Sequence, residues 1–285
     1  MVIPRERGNG MDNTAPIVLV TGSTDGIGKQ TALELARTGA HVIVHGRNHE
    51  RVMSSVEDIR RRSGNQNVDG ITADLASLAS VRTMARELLE RTPRLNVVVH
   101  NAGVYMNERV LTPDGYEMTF AVNHLAPFYL TYLLGDLLVK SAPSRVVTVS
   151  SVAHVRGRLD FHNLQGQKHF DPYGAYALSK LANVLFSNEL ALRLQGTGAT
   201  SNSLHPGVIT TKLLHAGFDM AGASVEEGAQ TPVYLASSPE VSGVTGKYFV
   251  RKQPVAPAPV TLDSSVRKEF WEASEHLLGI PSSLF

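Results

Sequence analysis

The chain has 285 residues, of which 42% are hydrophobic and 19% are charged, enough apolar material for a sizeable core. The formal net charge is +1, so overall charge favours neither nucleic acid nor an anionic membrane as a partner. The absence of cysteine excludes disulfides, thiolate metal sites and a cysteine nucleophile. The longest apolar stretch, Pro127–Val139, is too short to cross a bilayer, and we expect a cytoplasmic protein without a membrane span.

The first residues are polar. They include Arg5, Glu6 and Arg7 and lack the apolar core of a signal peptide. We therefore expect a disordered leader over residues 1–15. No repeat or linker divides the remainder, so residues 16–285 are predicted to form a single domain.

Short apolar runs alternate with amphipathic segments along the first hundred residues. The runs predict four strands, at Ile17–Thr21, His41–His45, Gly70–Ala73 and Leu95–His100. Apolar residues at helical spacing predict helices between them, at Lys29–Thr38, Glu50–Arg62 and Leu78–Glu90. This alternation is typical of the α/β class, and it predicts a doubly wound parallel sheet (Rossmann-like) with helices on both faces.

The alternation continues to the end of the chain. Further strands are predicted at Arg145–Ser150, Thr200–Leu204 and Gly246–Val250, which gives about seven in all. Further helices are predicted at Met118–Val139, Tyr173–Leu194 and Ser265–Leu278. We predict a flexible lid near residues 210–227 and an extended, proline-rich loop at Pro254–Pro259.

A glycine-rich turn follows the first strand. Glycine lets the backbone approach a pyrophosphate, and the N-terminus of the next helix favours the negative charge. The spacing is Gly-x-x-x-Gly-x-Gly instead of the commonest Gly-x-Gly-x-x-Gly, so an ordinary glycine turn is the alternative interpretation. We predict a dinucleotide cradle made by Gly22, Ser23, Thr24, Asp25, Gly26, Ile27 and Gly28.

The end of the second strand carries a basic residue where a dinucleotide would place its adenosine ribose. An acidic residue there would bind a 2′-hydroxyl, whereas an arginine can hold a 2′-phosphate. Arg47 occupies this position and is followed by Asn48, so we predict NADP(H) as the cofactor. A solvated loop arginine is the alternative.

Two more strand ends carry candidate cofactor residues. Asp74, followed by Leu75, could accept a hydrogen bond from the adenine amino group or could cap the next helix. Asn101-Ala102-Gly103 ends the fourth strand, at the carboxyl edge of the sheet where ligands bind in such folds. We assign all of these residues to the predicted cofactor site.

Tyr176 and Lys180 lie four residues apart in a predicted helix and therefore share one face of it. A tyrosine titrates near ~10, and a neighbouring cation favours the phenolate and lowers that pKa. Together with the glycine turn upstream, the pair predicts an oxidoreductase that transfers a hydride between a nicotinamide dinucleotide and a carbonyl or hydroxyl group.

These motifs together resemble the short-chain dehydrogenase/reductase family over roughly Ile17 to Gly279. The run from Tyr176 to Leu190 and the segment Leu204-His-Pro-Gly-Val-Ile are similar to the retinol dehydrogenase and WW-domain-containing oxidoreductase branch. The motifs occur in family order: the glycine turn, Asn101-Ala102-Gly103, Asn123 in Val-Asn-His-Leu, Ser150-Ser151, Tyr176 to Lys180, and Pro206-Gly207.

The resemblance implies a role for each matching residue. Tyr176 would be the acid/base, and Lys180 would bind the nicotinamide ribose and lower the tyrosine pKa. Ser151 would hydrogen-bond the substrate oxygen, and Asn123 would hold a water that links Lys180 to solvent. Near the carboxamide end of the cofactor, the resemblance places Pro206, Gly207, Ile209 and Thr211.

Twenty-four residues separate Ser151 from Tyr176, about twice the spacing expected in compact members of the family. We expect this insert to form a wall of the substrate site. Its histidines, His154, His162 and His169, are irregularly spaced and lack a carboxylate cluster, so we predict a solvated loop and no metal.

The leading hypothesis is an NADP-dependent alcohol dehydrogenase or carbonyl reductase acting on a small, apolar molecule. The alternatives are a non-catalytic NADP-binding sensor or scaffold of the same fold, and an epimerase or dehydratase for nucleotide sugars. A possible homo-oligomer is also considered, since the apolar residues that follow Lys180 at helical spacing fit either a core or a dimer interface: Leu181, Leu185, Phe186 and Leu190.

Overall fold

In the computed structural model, residues 15–217 and 221–281 are described, and eight strands within them form one sheet. The strands follow the order β3-β2-β1-β4-β5-β6-β7-β8 across the sheet. Their bounds are β1 (Ile17–Val20), β2 (His41–Gly46), β3 (Val68–Thr72), β4 (Val97–His100), β5 (Ser144–Val149), β6 (Ala199–His205), β7 (Tyr248–Val250) and β8 (Gln253–Val255).

Helices lie on both faces of this sheet. A π-helix at Ala121–Leu125 joins α4 to α5, and a 3₁₀-helix covers Val152–Arg156. The α-helices are α1 (Gly26–Arg37), α2 (His49–Ser63), α3 (Leu78–Arg91), α4 (Met118–Phe120), α5 (Ala126–Lys140), α6 (Pro172–Arg193), α7 (Lys212–Gly217), α8 (Val225–Ser237) and α9 (Ser264–Leu278).

Strands β1 to β7 pair in parallel, and the predicted doubly wound α/β sheet of a single domain is confirmed. The strand order reverses between β1 and β4, because β2 and β3 lie on one side and β4 to β7 on the other. Open α/β sheets bind ligands at the carboxyl edge beside such a reversal. The fold therefore places a cleft between the ends of β1 and β4.

The sheet has one strand more than predicted. Part of the segment expected to be an extended loop forms β8, which pairs antiparallel with β7. The connecting turn holds Arg251 and Lys252 at φ of 50° and 64°. Pro254 lies in this last strand, where a missing backbone donor is tolerated because the strand is an edge.

Helix α1 begins at Gly26, three residues earlier than predicted. The carboxylate of Asp25 accepts a hydrogen bond from the Gly26 amide and caps the helix, so the glycine turn itself supplies the first helical turn. The other predicted helices and strands lie within a few residues of their observed bounds.

Two apolar layers hold the helices to the sheet. One lies between the sheet and α3, α5 and α6, and includes Val98 and Phe186. The other lies between the sheet and α1, α2 and α8, and includes Leu33 and Val56. Both layers are built from side chains that alternate along the strands, as in any sheet covered on both faces.

Helix α6 is also buried on its outer side, by α9. Trp271 of α9 lies 4.5 Å from the ring of Phe128 and 5.9 Å from that of Phe186, between ring centroids. The leucines of α6 are thus core residues of a single chain: Leu181, Leu185 and Leu190. Of the two interpretations offered by the sequence, core and dimer interface, the structure supports the core.

Candidate active site

A cleft of ≈ 1330 Å³ opens at the carboxyl edge of the sheet. Its walls include both ends of the predicted site, from Arg47 to Tyr176. Ser23 and Asn123 do not line it. The predicted residues that do are Gly22, Thr24, Asp25, Gly26, Ile27, Gly28, Arg47, Asn48, Asp74, Leu75, Asn101, Ala102, Gly103, Ser151, Tyr176, Lys180, Pro206, Gly207, Ile209 and Thr211.

The glycines of the turn are required by space as well as by backbone conformation. A Cβ on Gly22, where φ is 64°, would lie 2.8 Å from the Cα of Ala102. A Cβ on Gly28 would lie 2.3 Å from Nδ2 of Asn101 and 2.4 Å from the Gly22 carbonyl oxygen. The backbone therefore lines the cleft directly beside the N-terminus of α1, which is the cradle that a pyrophosphate fits.

Hydrogen bonds from neighbouring strand ends fix this cradle. Nδ2 of Asn101 donates to the carbonyl oxygens of Thr21, at 2.9 Å, and Gly22, at 3.2 Å. His45 accepts from the Gly22 amide at Nδ1, at 3.1 Å, and donates from Nε2 to the Ala73 carbonyl, at 3.1 Å. Burial lowers the pKa of His45 to about 4, so the ring is neutral and keeps both bonds.

The sequence analysis gave His45 no role. A polar residue inside an apolar strand could nevertheless have indicated a buried hydrogen-bonding group. The Ser23 hydroxyl is fully buried, donates to the Val20 carbonyl at 2.7 Å and accepts from the His45 amide at 2.9 Å. The tight turn thus points the Ser23 side chain back into the sheet, and the assignment of Ser23 to the cofactor cradle stays a prediction.

The adenosine end of the cleft is open and basic. Arg47 is exposed, and Asn48 caps α2 by accepting from the Arg51 amide at 2.9 Å. The guanidinium of Arg51 lies 3.4 Å from the Asp25 carboxylate. Lys29 also lines the cleft, and its ammonium pairs with Asp58 at 2.9 Å.

Asp74 does not cap the following helix. Oδ1 of Asp74 accepts from the Ala76 amide at 3.0 Å, while Ser77 caps α3. The alternative interpretation of Asp74 as a helix cap is therefore wrong. The residue lies in a local turn at the wall of the cleft, next to Leu75.

Ser151, Tyr176 and Lys180 meet at the other end of the cleft. The Tyr176 phenol is hydrogen-bonded to Ser151, and the ammonium of Lys180 lies 5.5 Å from the centre of the tyrosine ring. Lys180 donates to the Val149 carbonyl at 3.3 Å. Ser150 points away, since its hydroxyl is buried and donates to the Lys180 carbonyl at 2.7 Å. Of the serine pair, only Ser151 reaches the phenol.

Burial governs the electrostatics of this end. It raises the pKa of Tyr176 to about 12, and the hydrogen bond from Ser151 opposes it only in part. Burial likewise lowers the pKa of Lys180 to about 8. Burial thus decides the direction of the Tyr176 pKa, and the lowering of that pKa by Lys180 stays a prediction. At neutral pH the phenol is a proton donor.

Asn123 stands behind this group, within the π-helix. Its Oδ1 accepts from the Val104 amide at 2.7 Å, and its Nδ2 donates to the Val104 carbonyl at 3.0 Å and the Ser179 hydroxyl at 2.9 Å. It thereby holds the end of β4 against α6. A Cβ on Gly103 would lie 3.4 Å from both Oδ1 of Asn123 and Nζ of Lys180, so these groups are close neighbours.

An apolar wall surrounds Tyr176 on the open side. Tyr105 lies 5.5 Å from it between ring centroids, and Tyr173 and Leu213 pack against the same group. Val152 and Val155 are 53% and 56% exposed at the mouth of the cleft. The sequence analysis did not assign Tyr105, although its place just after Asn101-Ala102-Gly103 was a positional signal.

The predicted lid is only partly described. Helix α7 lines the cleft, and Lys212 at its start lies 2.5 Å from the Asp25 carboxylate. A bridge between Ile209 and Ala223 ties the two ends of the segment. Residues 218–220 of the predicted lid lie outside the described residues.

The insert before Tyr176 departs from the expectation of a solvated loop at one residue. His154 is buried, donates from Nδ1 to the Ser151 carbonyl at 2.7 Å and accepts at Nε2 from the Ala258 amide at 3.0 Å. It links the substrate serine to the C-terminal segment. His162 and His169 are exposed. Across residues 15–217 and 221–281, no three His, Asp or Glu side chains gather as metal ligands.

The fold, the glycine cradle and the Ser151–Tyr176–Lys180 group define a nucleotide-dependent oxidoreductase of the Rossmann class. The short chain dehydrogenase family matches residues 16–222, and the chain belongs to that family. It is 44% identical to retinol dehydrogenase 13 of Homo sapiens over 92% of this chain and 84% of the relative. It is 42% identical to retinol dehydrogenase 14 of Mus musculus, over 92% and 86%.

Solved structures share the architecture. An uncharacterized protein from Mycobacterium paratuberculosis superposes with a TM-score of 0.78 at 31% identity, covering 94% of this chain and 95% of that chain. A short chain dehydrogenase from Escherichia coli CFT073 complexed with NADPH gives a TM-score of 0.69 at 29% identity, covering 84% and 97%. Within the part of this chain that the structure describes, no helix is long and apolar enough to cross a membrane.

Proposed function

We propose that this protein is an NADP(H)-dependent oxidoreductase that interconverts an apolar alcohol and its carbonyl compound. One observation carries the proposal. A single cleft holds Ser151, Tyr176 and Lys180 at one end, the glycine turn in the middle, and Arg47 at the other end. A dinucleotide laid along the turn would bring its nicotinamide to the tyrosine and its adenosine ribose to the arginine.

The bound cofactor supplies or accepts the hydride, and the residues of the chain manage the oxygen and its proton. In reduction, Tyr176 donates its proton to the carbonyl oxygen as negative charge develops there. Ser151 stabilises the same oxygen through a hydrogen bond that strengthens with that charge. In oxidation the phenolate form of Tyr176 takes the alcohol proton. Lys180 would hold the nicotinamide ribose of the bound cofactor.

Arg47 supports NADP(H) over NAD(H). Its guanidinium is exposed at the cleft wall and can form paired, charge-assisted hydrogen bonds to a 2′-phosphate. No acidic residue follows β2 directly to bind a free ribose diol or repel the phosphate. The NADPH bound in the Escherichia coli neighbour supports the same choice.

The wall around Tyr176 supports an apolar substrate. Tyr105, Tyr173 and Leu213 present aromatic and aliphatic surface beside the reacting phenol. Two relatives are named retinol dehydrogenases, so retinol and retinal are the first compounds to test.

The experiment combines binding and turnover. NADPH and NADH are titrated by fluorescence, and then retinal, long-chain aldehydes and short polar ketones are offered with NADPH. We expect tighter binding of NADPH and turnover that favours the apolar carbonyls. Binding without turnover of any compound would support the sensor or scaffold alternative. Absence of binding to either nucleotide would overturn the proposal.

A further inference from the structure

The hydrogen bonds of His154 fix which of its ring nitrogens carries the proton. A backbone amide can only donate, so the bond from the Ala258 amide requires a bare Nε2. Nδ1 then carries the proton and donates it to the Ser151 carbonyl. Burial lowers the pKa of His154, which favours the neutral ring that this arrangement needs. The ring therefore connects two backbone groups, one on each side of it.

Ser151 is held at both its carbonyl and its hydroxyl. Its carbonyl oxygen accepts two hydrogen bonds from His154, one from Nδ1 at 2.7 Å and one from the backbone amide at 3.1 Å. Its hydroxyl accepts from the Ala153 amide at 3.2 Å and is also bonded to the Tyr176 phenol. Because carbonyl and hydroxyl belong to one residue, a shift of the His154 ring would be transmitted to the group that faces Tyr176.

The other end of this connection is fixed by two helices. The Ala258 carbonyl accepts from the Thr261 amide at 2.9 Å and from the Thr261 hydroxyl at 2.7 Å. The Thr261 carbonyl accepts in turn from Nδ2 of Asn188, on α6, at 3.2 Å and from Nη1 of Arg267, on α9, at 3.3 Å. This C-terminal segment lies beyond residue 222, where the match to the family ends. Ser151 is thus anchored to a part of the chain outside the matched region.

Packing around the ring leaves it little freedom. The Tyr248 ring of β7 lies 4.6 Å from the His154 ring between centroids, and His154 is only 2% exposed. The short helix that carries His154 also lies close to α6, because a Cβ on Gly157 would lie 2.7 Å from the Ala177 carbonyl oxygen. Contacts from β7, α6 and the C-terminal segment therefore set the orientation of the ring.

We propose that His154 is a positioning residue that fixes the Ser151 hydroxyl beside Tyr176 by anchoring the Ser151 carbonyl to the C-terminal segment at Ala258. The inference rests on the proposed function, in which Ser151 stabilises the negative charge on the substrate oxygen. A donor stabilises such charge best when it is already in place as the charge develops. Loss of the anchor should therefore lower kcat more than it raises KM.

The first test compares two replacements of His154. His154→Phe keeps the ring shape and loses both side-chain bonds, whereas His154→Asn keeps an amide donor for the Ser151 carbonyl. We expect kcat of His154→Phe to fall about ten- to a hundred-fold, with KM for NADPH and for the carbonyl compound changed by less than about twofold. His154→Asn should recover much of kcat. His162→Asn, at an exposed histidine of the same insert, is the matched control and should behave as the parent. An unchanged kcat in His154→Phe, or equal losses in His154→Phe and His154→Asn, would overturn the inference.

The second test asks whether His154 acts through Ser151. Once Ser151→Ala has removed the hydroxyl, His154→Phe should lower kcat little further. Single-turnover kinetics at high enzyme concentration measures the slow double variant. A further fall as large as that in the parent background would indicate a general disturbance of the site and would overturn the inference.

The third test needs no turnover. Nitrogen NMR of histidine-labelled parent protein at neutral pH reports which ring nitrogen is protonated, and the His154 signals are assigned by their loss in His154→Asn. We expect a protonated Nδ1 and a bare Nε2, the reverse of His45, which accepts at Nδ1 and donates from Nε2. A ring protonated at Nε2 cannot accept from Ala258 and would overturn the inference. If the parent turns over none of the carbonyls, the proposed function fails, while this spectrum still decides whether His154 anchors Ser151 to Ala258.

Discussion

The two sides of the cleft are held by different kinds of contact. On the cofactor side, added Cβ atoms at Gly22 and Gly28 would overlap backbone or fixed side-chain atoms, and Asn101 and His45 bond directly to the turn. On the substrate side, α7 makes an exposed ion pair, Lys212 to Asp25, while Leu214 is buried and Leu213 packs against Tyr176. The cofactor side is therefore constrained by close contacts to backbone, whereas the substrate side is held by side-chain packing and an exposed ion pair.

The two sides should therefore differ in the changes that they tolerate, namely substitutions on the cofactor side and different substrates on the other. A rigid cradle fixes one cofactor geometry and accepts few substitutions. The wall on the other side is made of the side chains of Tyr105, Tyr173 and Leu213, and we expect it to accept substrates of different length by changes of rotamer. Tyr176 lies at the boundary between the two, packed against that wall and bonded to Ser151.

Substitution at this boundary has the largest expected effect. Tyr176→Phe removes the proton donor while the glycine turn and Lys180 remain, so kcat should fall by about 10²–10⁴-fold and NADPH affinity should change little. Steady-state kinetics with a fluorescence titration of NADPH measures both. Tyr132→Phe, on α5 outside the cleft, is the control. Retention of a tenth of parent activity would assign the proton to another group.

The second-largest expected effect is a loss of NADPH affinity without a change at the substrate side. Arg47→Ala removes the partner of the 2′-phosphate, and a charge-assisted bond is worth roughly 1.5–3 kcal/mol. KM for NADPH should rise on the order of ten- to a hundred-fold, and KM for NADH should stay nearly constant. Added salt should weaken the preference of the parent protein for NADPH over NADH, since Arg47 is exposed. Equal kcat/KM for the two cofactors in the parent would point to NAD(H).

A pair of glycine substitutions compares the two sides directly. Gly28→Ala places a Cβ 2.3 Å from Nδ2 of Asn101, and Gly217→Ala places one 2.8 Å from the Tyr105 ring. We expect the first to lower the free energy of unfolding by about 1–3 kcal/mol and to weaken cofactor binding. The second should leave stability nearly unchanged, because α7 can shift, and should raise KM for the substrate. If Gly28→Ala and Gly217→Ala lower the free energy of unfolding equally, the substrate side is as constrained as the cofactor side.

The buried ammonium gives a smaller, pH-dependent effect. With a pKa of about 8 in the fold against 10.5 in the unfolded chain, Lys180 destabilises the fold below pH 8, and stability is regained as pH rises from 8 to 10.5. Lys180→Met should therefore raise the free energy of unfolding by about 1–3 kcal/mol at pH 7, with the gain shrinking towards pH 10.5. Denaturant melts at several pH values measure it. A variant less stable than the parent at pH 7 would show that the ammonium is stabilised in place.

The ion pair between the two sides gives the smallest effect. Lys212 and Asp25 are 82% and 53% exposed, and such pairs contribute about 0.2–1 kcal/mol. A double-mutant cycle with Asp25→Asn and Lys212→Gln, read out as the rate of NADPH release, should give a coupling of that size that vanishes at high salt. A coupling of several kcal/mol would mean that α7 is fixed as firmly as the cradle.

Local patterns predicted much of the fold and the site. Buried apolar runs located β1 to β7, and the spacing of Tyr176 and Lys180 placed both on one helix face. The spacing of the glycines predicted the turn, because a turn of this kind needs residues without a side chain. The contacts that make the cofactor side rigid are not local, because Asn101 lies 79 residues from Gly22 in the chain.

The remaining features depend on contacts between distant residues. Burial of His154 requires Ala258, and the orientation of Ser23 requires the end of β2, neither of which has a pattern nearby in sequence. The raised pKa of Tyr176 follows from burial by Tyr105 and the surrounding wall, which a four-residue spacing does not encode. The short edge strand β8 contains a proline and was hidden for that reason.

The position of α9 affects the order in which parts of the chain can pack during synthesis. Trp271 packs against Phe128 and Phe186, on the helices that precede it by a long stretch of sequence. During synthesis the helix carrying Tyr176 and Lys180 is made well before the segment that covers it. Its apolar outer face stays uncovered until residues 264–278 leave the ribosome, and exposed apolar surface of this kind favours aggregation.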